Sequence, residues 1–273
     1  MNSLVRQFFS TEEEDREVHF REVIFVNRET DLSWEVAQTK APKLPRSWFE
    51  LSRISTRDRI DFTRDLWLDL LSFHPKAHDS ISRFFQSLDD IEVVLHRQSE
   101  EEPFSAELVY SLADNSSFFR GLPPLSGTER EALREEVLWD LPRDYWTFNR
   151  IHNGFGKLSE LGLLQVEEIT DERAKIVNTQ VSSEQALHSG DVVVDPGTLI
   201  PFFISFGLAS YQCFYADWYP AHEMGNVYLS GIDNTISDIT DPELWSENLA
   251  FPTFVEWLAV YLQGMDDAPE TFS

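Results

Sequence analysis

The feature that most constrains this chain is where its charge lies. Between Ile176 and Ser273 there are 14 acidic residues and no Lys or Arg, whereas residues 1 to 175 carry 34 acidic and 22 basic side chains. The chain of 273 residues has a net charge of −26. Charge of that size repels phosphate, which argues against nucleic acid and anionic membrane surfaces as partners. Two expectations are left: an acidic face that keeps the protein dispersed, or one meant for a basic partner.

The composition supports a packed core. Hydrophobic residues are 42% of the chain, and 21 Phe, 8 Trp and 7 Tyr supply large apolar side chains, so most of the chain is expected to fold. A single Cys excludes a disulfide framework and any zinc site needing two or more thiolates, which points to a reducing, cytoplasmic setting. No run approaches 18 apolar residues, and Met1 to Phe9 leads directly into Glu12-Glu13-Glu14-Asp15, unlike a signal peptide.

Local patterns give an α+β chain. Glu22 to Val26 and Leu32 to Val36 read as two short strands around a polar turn. Ile60, Trp67, Leu70 and Leu71 lie on one helical face from Arg57 to Leu71, opened by Ser55 with Asp58 in a capping-box pattern. A second helix is expected from Pro75 to Leu88, then strands at Ile91 to His96 and Phe104 to Leu112. The turn-forming residues from Gly121 to Gly127 mark a junction between two packed units. Beyond it, Thr128 with Glu131 forms a second capping box, and Leu141-Pro142 opens a helix that Asn153-Gly154 ends. Strands are expected at Leu161 to Val166, Leu199 to Phe206, Ser210 to Ala216 and Val227 to Ile232, with a hairpin at Gly207. The last element is a helix from Thr253 to Gln263, stopped by Gly264.

Candidate chemistry is sparse. His222-Glu223 begins like a zinc-protease motif, but Asn226 stands where the second His belongs. His74 and His78 are four apart with Pro75 between them, which makes His74 a cap rather than a ligand. In the acidic loop from Asp233 to Glu243, an EF-hand register puts Asp238 where Gly is needed and Leu244 where Glu is needed. Gly154-Phe155-Gly156-Lys157 lacks the Ser or Thr of a phosphate loop, and Cys213 reads as a buried strand residue with a raised pKa. No metal or other cofactor is expected. One segment, Asp217-Trp218-Tyr219-Pro220-Ala221-His222-Glu223, sets two large aromatics between carboxylates in a loop, the composition of a hot spot for a basic protein. The expected partner-binding residues are Asp217, Trp218, Tyr219 and Glu223, with Asp233 and Asp238 of the following acidic loop. The competing expectation is that Trp218 and Tyr219 fold back as core.

The run Glu129 to Trp139, then Leu141-Pro142-Arg143-Asp144-Tyr145-Trp146-Thr147-Phe148 and Ile151-His152-Asn153-Gly154, resembles the opening of the SUKH superfamily. Ile200 to Ser205, Tyr211 to Tyr215, Gly225 to Leu229 and Phe251 to Leu258 resemble that family's sheet and closing helix, although Thr253 stands where Ser is common. The resemblance covers about residues 125 to 265, leaving residues 1 to 120 as a smaller α+β region outside it and 266 to 273 as an acidic tail. It implies a non-enzymatic domain, an antiparallel sheet flanked by helices that holds a protein partner. In bacteria the implied role is an immunity protein that neutralises a toxin. The alternatives are a scaffold or regulator of the same fold, and a hydrolase using carboxylates such as Glu167 and Glu168.

Overall fold

Residues 88–121 alternate so that successive side chains serve two different cores. Ile91, Val93, Leu95, Leu108, Tyr110 and Phe119 join one buried cluster, while Val94, Val109 and Phe118 join another on the opposite face. The computed structural model describes residues 2–10, 20–137, 139–158, 162–182, 185–205 and 210–263. It is an α+β fold, a large sheet flanked by helices.

The strands are β1 (Glu22–Phe25), β2 (Leu88–Arg97), β3 (Ser105–Leu112), β4 (Phe118–Gly121), β5 (Phe155–Lys157), β6 (Gly162–Leu163), β7 (His188–Ser189), β8 (Val192–Val193), β9 (Leu199–Ser205), β10 (Ser210–Tyr215), β11 (Asn226–Ser230) and β12 (Thr235–Ile236). Among the described residues they form one sheet in the order β1-β2-β3-β4-β5-β6-β9-β10-β11-β12-β7-β8. Every pairing is antiparallel except that of β12 with β7. The sheet continues across the expected junction, because β4 before it bonds β5 after it as well as β3. The main core is likewise continuous, with members from Val26 to Leu262.

The helices are α1 (Ser3–Phe8), α2 (Trp34–Lys40), α3 (Arg46–Leu51), α4 (Thr56–Leu70), α5 (Pro75–Gln86), α6 (Gly127–Glu136), α7 (Arg143–Phe148), α8 (Ile169–Ser182) and α9 (Phe254–Gln263). The main core holds the buried apolar residues of α2, α3, α4, α5, α7 and α9, whereas Val5 of α1 and Ile176 of α8 pack in the two clusters behind the sheet. β9 shows how sequence becomes packing. The β9–β10 register slips by one residue between Gln212 and Cys213, a bulge that leaves Phe202 extra. Adjacent Phe202 and Phe203 therefore both meet Trp257 of α9, with ring centroids 4.9 and 5.2 Å away.

Several local expectations are corrected. Leu32 to Val36 is not a strand: Ser33 accepts a hydrogen bond from the Val36 N–H and caps α2. The second capping box is Ser126 with Glu129, two residues before the expected pair, and Thr128 bonds the Ser126 hydroxyl instead. α7 starts after Pro142 and ends at Phe148, while Gly154, at φ +106°, makes the turn into β5. Among the described residues between Gly162 and Val166 only Gly162–Leu163 is a strand, and α8 lies in a stretch for which no helix was expected. β11 stops at Ser230, so Ile232 lies in a turn. Gly207, Gly264, Leu161 and the tail from 266 to 273 lie outside the described residues.

Candidate protein-binding surface

The connection between β10 and β11 is closed by its backbone before any side chain acts. Tyr215 gives its N–H to the Gly225 carbonyl, Trp218 to Tyr215, and Gly225 to Trp218, each at 2.9 or 3.0 Å. This seats Trp218 flat on Gly225, where an added Cβ would stand 2.3 Å from the indole ring. Trp245 meets the ring edge-on with centroids 5.0 Å apart, and its own Nε1–H donates to the Ile239 carbonyl. Trp218 is thus half-buried against the cluster behind the sheet. Its neighbour Tyr219 is 55% exposed. Of the two aromatics, Trp218 is seated on the protein and Tyr219 faces solvent.

The carboxylates divide as well. Asp217 is exposed beside Tyr219. Glu223 is half-buried and faces the first turn of α7. Burial and the nearby Asp144 carboxylate raise its pKa, against the N–H and guanidinium of Arg143. Asp144 in turn accepts a hydrogen bond from the Ser72 N–H at 3.2 Å. Glu223 therefore belongs as much to the packing of α7 as to a docking surface. Asp233 sits in the β11–β12 turn, where it accepts the Ser230 hydroxyl, at the end of β11 opposite Asp217. Asp238 follows β12, and hydrogen bonds from the Thr240 hydroxyl and N–H hold its carboxyl below the usual range. The structure brings Asp217, Trp218, Tyr219 and Glu223 into one connection and places Asp233 at the far end of β11, whereas Asp238 comes back along β11 and stands next to Ile239, whose carbonyl accepts from the Trp245 that packs on Trp218.

The other candidates are accounted for locally. His74 caps α5, its Nδ1 accepting the Ala77 N–H, and His78 packs edge-on against Phe73. Glu168 closes the turn that opens α8 by accepting the Gln165 N–H, and Glu167 accepts from the Asn153 amide. Gly154 to Lys157 enters β5. Cys213 is fully buried in β10, and burial pushes its thiol pKa up.

Sequence reasoning missed a groove of about 820 Å³ between α3, α4 and the segment after α7. Phe62 and Leu66 of α4, 65% and 48% exposed, stand at its mouth. His152 and Tyr110 form its floor, joined by a 2.7 Å hydrogen bond. His152 Nδ1 lies 3.0 Å from the Leu122 carbonyl, which only accepts, so Nδ1 carries the proton and Nε2 accepts from the Tyr110 hydroxyl. Burial depresses the His152 pKa to about 3, leaving a neutral ring. The missed signal was Gly121, at which an added Cβ would lie 2.2 Å from the imidazole.

Among the described residues no helix is long and apolar enough to cross a membrane. No protein-family model, curated protein or solved structure matches the chain.

Proposed function

We propose that the chain is a non-enzymatic protein-binding domain that meets a basic partner, and that the partner is a toxin domain which it neutralises in the cytoplasm. The observation that carries this reading is Tyr219, an exposed aromatic held on a closed connection beside Asp217, in a stretch of sequence without a single Lys or Arg. An aromatic on a rigid base loses little conformational freedom on docking, and surrounding carboxylates steer a cationic surface toward it. The resemblance of residues 125 to 265 to the SUKH superfamily supplies the immunity role.

The test is to express the chain together with a basic domain encoded beside it. Restored growth of cells carrying that domain, and a complex whose association slows as salt rises, are the expected results. Growth that stays arrested, or an association rate indifferent to ionic strength, would overturn the reading.

A further inference from the structure

The sheet ends at β8, and solvent-facing apolar side chains gather at that end. Val192 and Val193 are 59% and 65% exposed, Val181 near the end of α8 is 77% exposed, and Ile232 is 67% exposed. Asn234 draws these residues to one place. Gln180, next to Val181, donates to its side-chain oxygen at 3.0 Å, and His188, opposite Val193, gives its N–H to the Asn234 carbonyl at 3.1 Å.

The backbone of this edge is open too. Val194 gives its N–H to the Leu187 carbonyl at 2.9 Å, one residue beyond the Val193–His188 pair. Partners in an antiparallel ladder alternate, so the N–H and C=O of Val193 point away from β7. Sheet edges are commonly blunted by Lys or Pro, but both residues of β8 are Val. Carboxylates bracket the strand. Asp191 is in the hairpin turn, an added Cβ on Gly190 would lie 3.8 Å from Asp238 Oδ2, and Asp233 follows Ile232. None of the three forms an ion pair among the described residues.

We propose that the β8 edge takes up an extended strand from a partner, one that alternates Val- or Ile-type side chains with Lys or Arg. The proposal rests on the basic-partner reading and adds to the Tyr219 connection a second contact at the end of the sheet. The incoming main chain bonds Val193, its apolar side chains cover Val192 and Ile232, and its cations reach Asp191, Asp233 and Asp238. A second copy of this chain is disfavoured as the occupant, because it would set the same carboxylates against one another.

The test uses a fluorescent peptide of alternating Val and Lys and the full chain, read by anisotropy and by amide hydrogen exchange. The expected result is binding by the parent with new protection at the Val193 amide. Val193→Pro removes the outward N–H at an edge position that tolerates Pro and should weaken binding about tenfold. Val193→Lys keeps the N–H but repels the peptide, and should also weaken binding. Both variants should melt within a few degrees of the parent, and Tyr219→Ala should bind the peptide normally. Equal binding by parent and Val193→Pro, or protection appearing at Asp217 to Glu223, overturns the edge while leaving the basic-partner reading intact. A peptide that does not bind the parent also overturns it, and the co-expression test decides the broader reading independently. Concentration-dependent dimers abolished by Val193→Pro would overturn it in favour of a second copy.

Discussion

His152 should make this protein lose stability in mild acid in a way that can be isolated. The ring is fully buried against Trp67, Phe148 and Phe155, with Phe155 stacked at 5.5 Å, and a proton on Nε2 would place an unsolvated charge there and turn the Tyr110 hydroxyl from donor to acceptor. Its pKa falls from the usual 6.5 to about 3 on folding. Between those values the unfolded chain binds a proton that the folded chain refuses, so stability drops as pH falls through 6.5 and goes on dropping toward 3. Each unit costs about 1.4 kcal/mol, which makes the loss about 2 kcal/mol at pH 5. The many carboxylates also titrate below pH 6, and a difference measurement removes them. His152→Gln has no titrating ring and can still offer a donor to Leu122 and an acceptor to Tyr110. Denaturant unfolding of parent and variant should be compared at pH 7.5 and pH 5. The variant should be the less stable at pH 7.5, by about 1–3 kcal/mol, and the gap should close by about 2 kcal/mol at pH 5. A gap of constant size would show that His152 takes up its proton in the folded state and refute the reasoning.

Three further outcomes are expected. Trp218→Ala should cost about 2 kcal/mol of folding, less than a fully buried Trp, while Tyr219→Ala should stay within about 0.5 kcal/mol of the parent; the reverse order in urea midpoints would mean that Tyr219, not Trp218, is the seated ring. Ser126→Ala should destabilise by about 1 kcal/mol, whereas Thr128→Ala should be nearly neutral, and equal losses in thermal melts would argue against the Ser126–Glu129 box. Raising salt from low to physiological concentration should raise the melting temperature, because the net charge of −26 repels itself in the compact state; a falling melting temperature would mean that favourable ion pairs outweigh that repulsion.

Elements made by neighbours in sequence were legible in the sequence. Ser55 opens α4, His74 and Pro75 open α5, and the alternating runs of β2, β3, β9, β10 and β11 were read within a few residues. The burial of Cys213 followed from the same alternation. Where two local patterns competed, the sequence could not choose. Ser33 caps a helix inside a stretch that also alternates like a strand, and Ser126 and Thr128 each have a Glu three residues on.

The candidate site was half legible. Its aromatics and carboxylates could be named, but not which of them face water. Trp218 turns inward because Gly225 leaves room for its ring and Trp245, far along the chain, closes over it, while Tyr219 has no such partner among the described residues. Asp233 parts from Asp217 because the length of β11 lies between them, while the antiparallel β12 carries Asp238 back toward the Trp218 end. The His152 floor and the β8 edge were hidden for the same reason. Composition and spacing determine which segments become strands and helices and how much charge they carry, since those depend on residues a few positions apart. Which strand is left at the end of the sheet, with the N–H and C=O of Val193 pointing away from β7, depends on pairing between residues more than forty positions apart, and only the folded chain decides it.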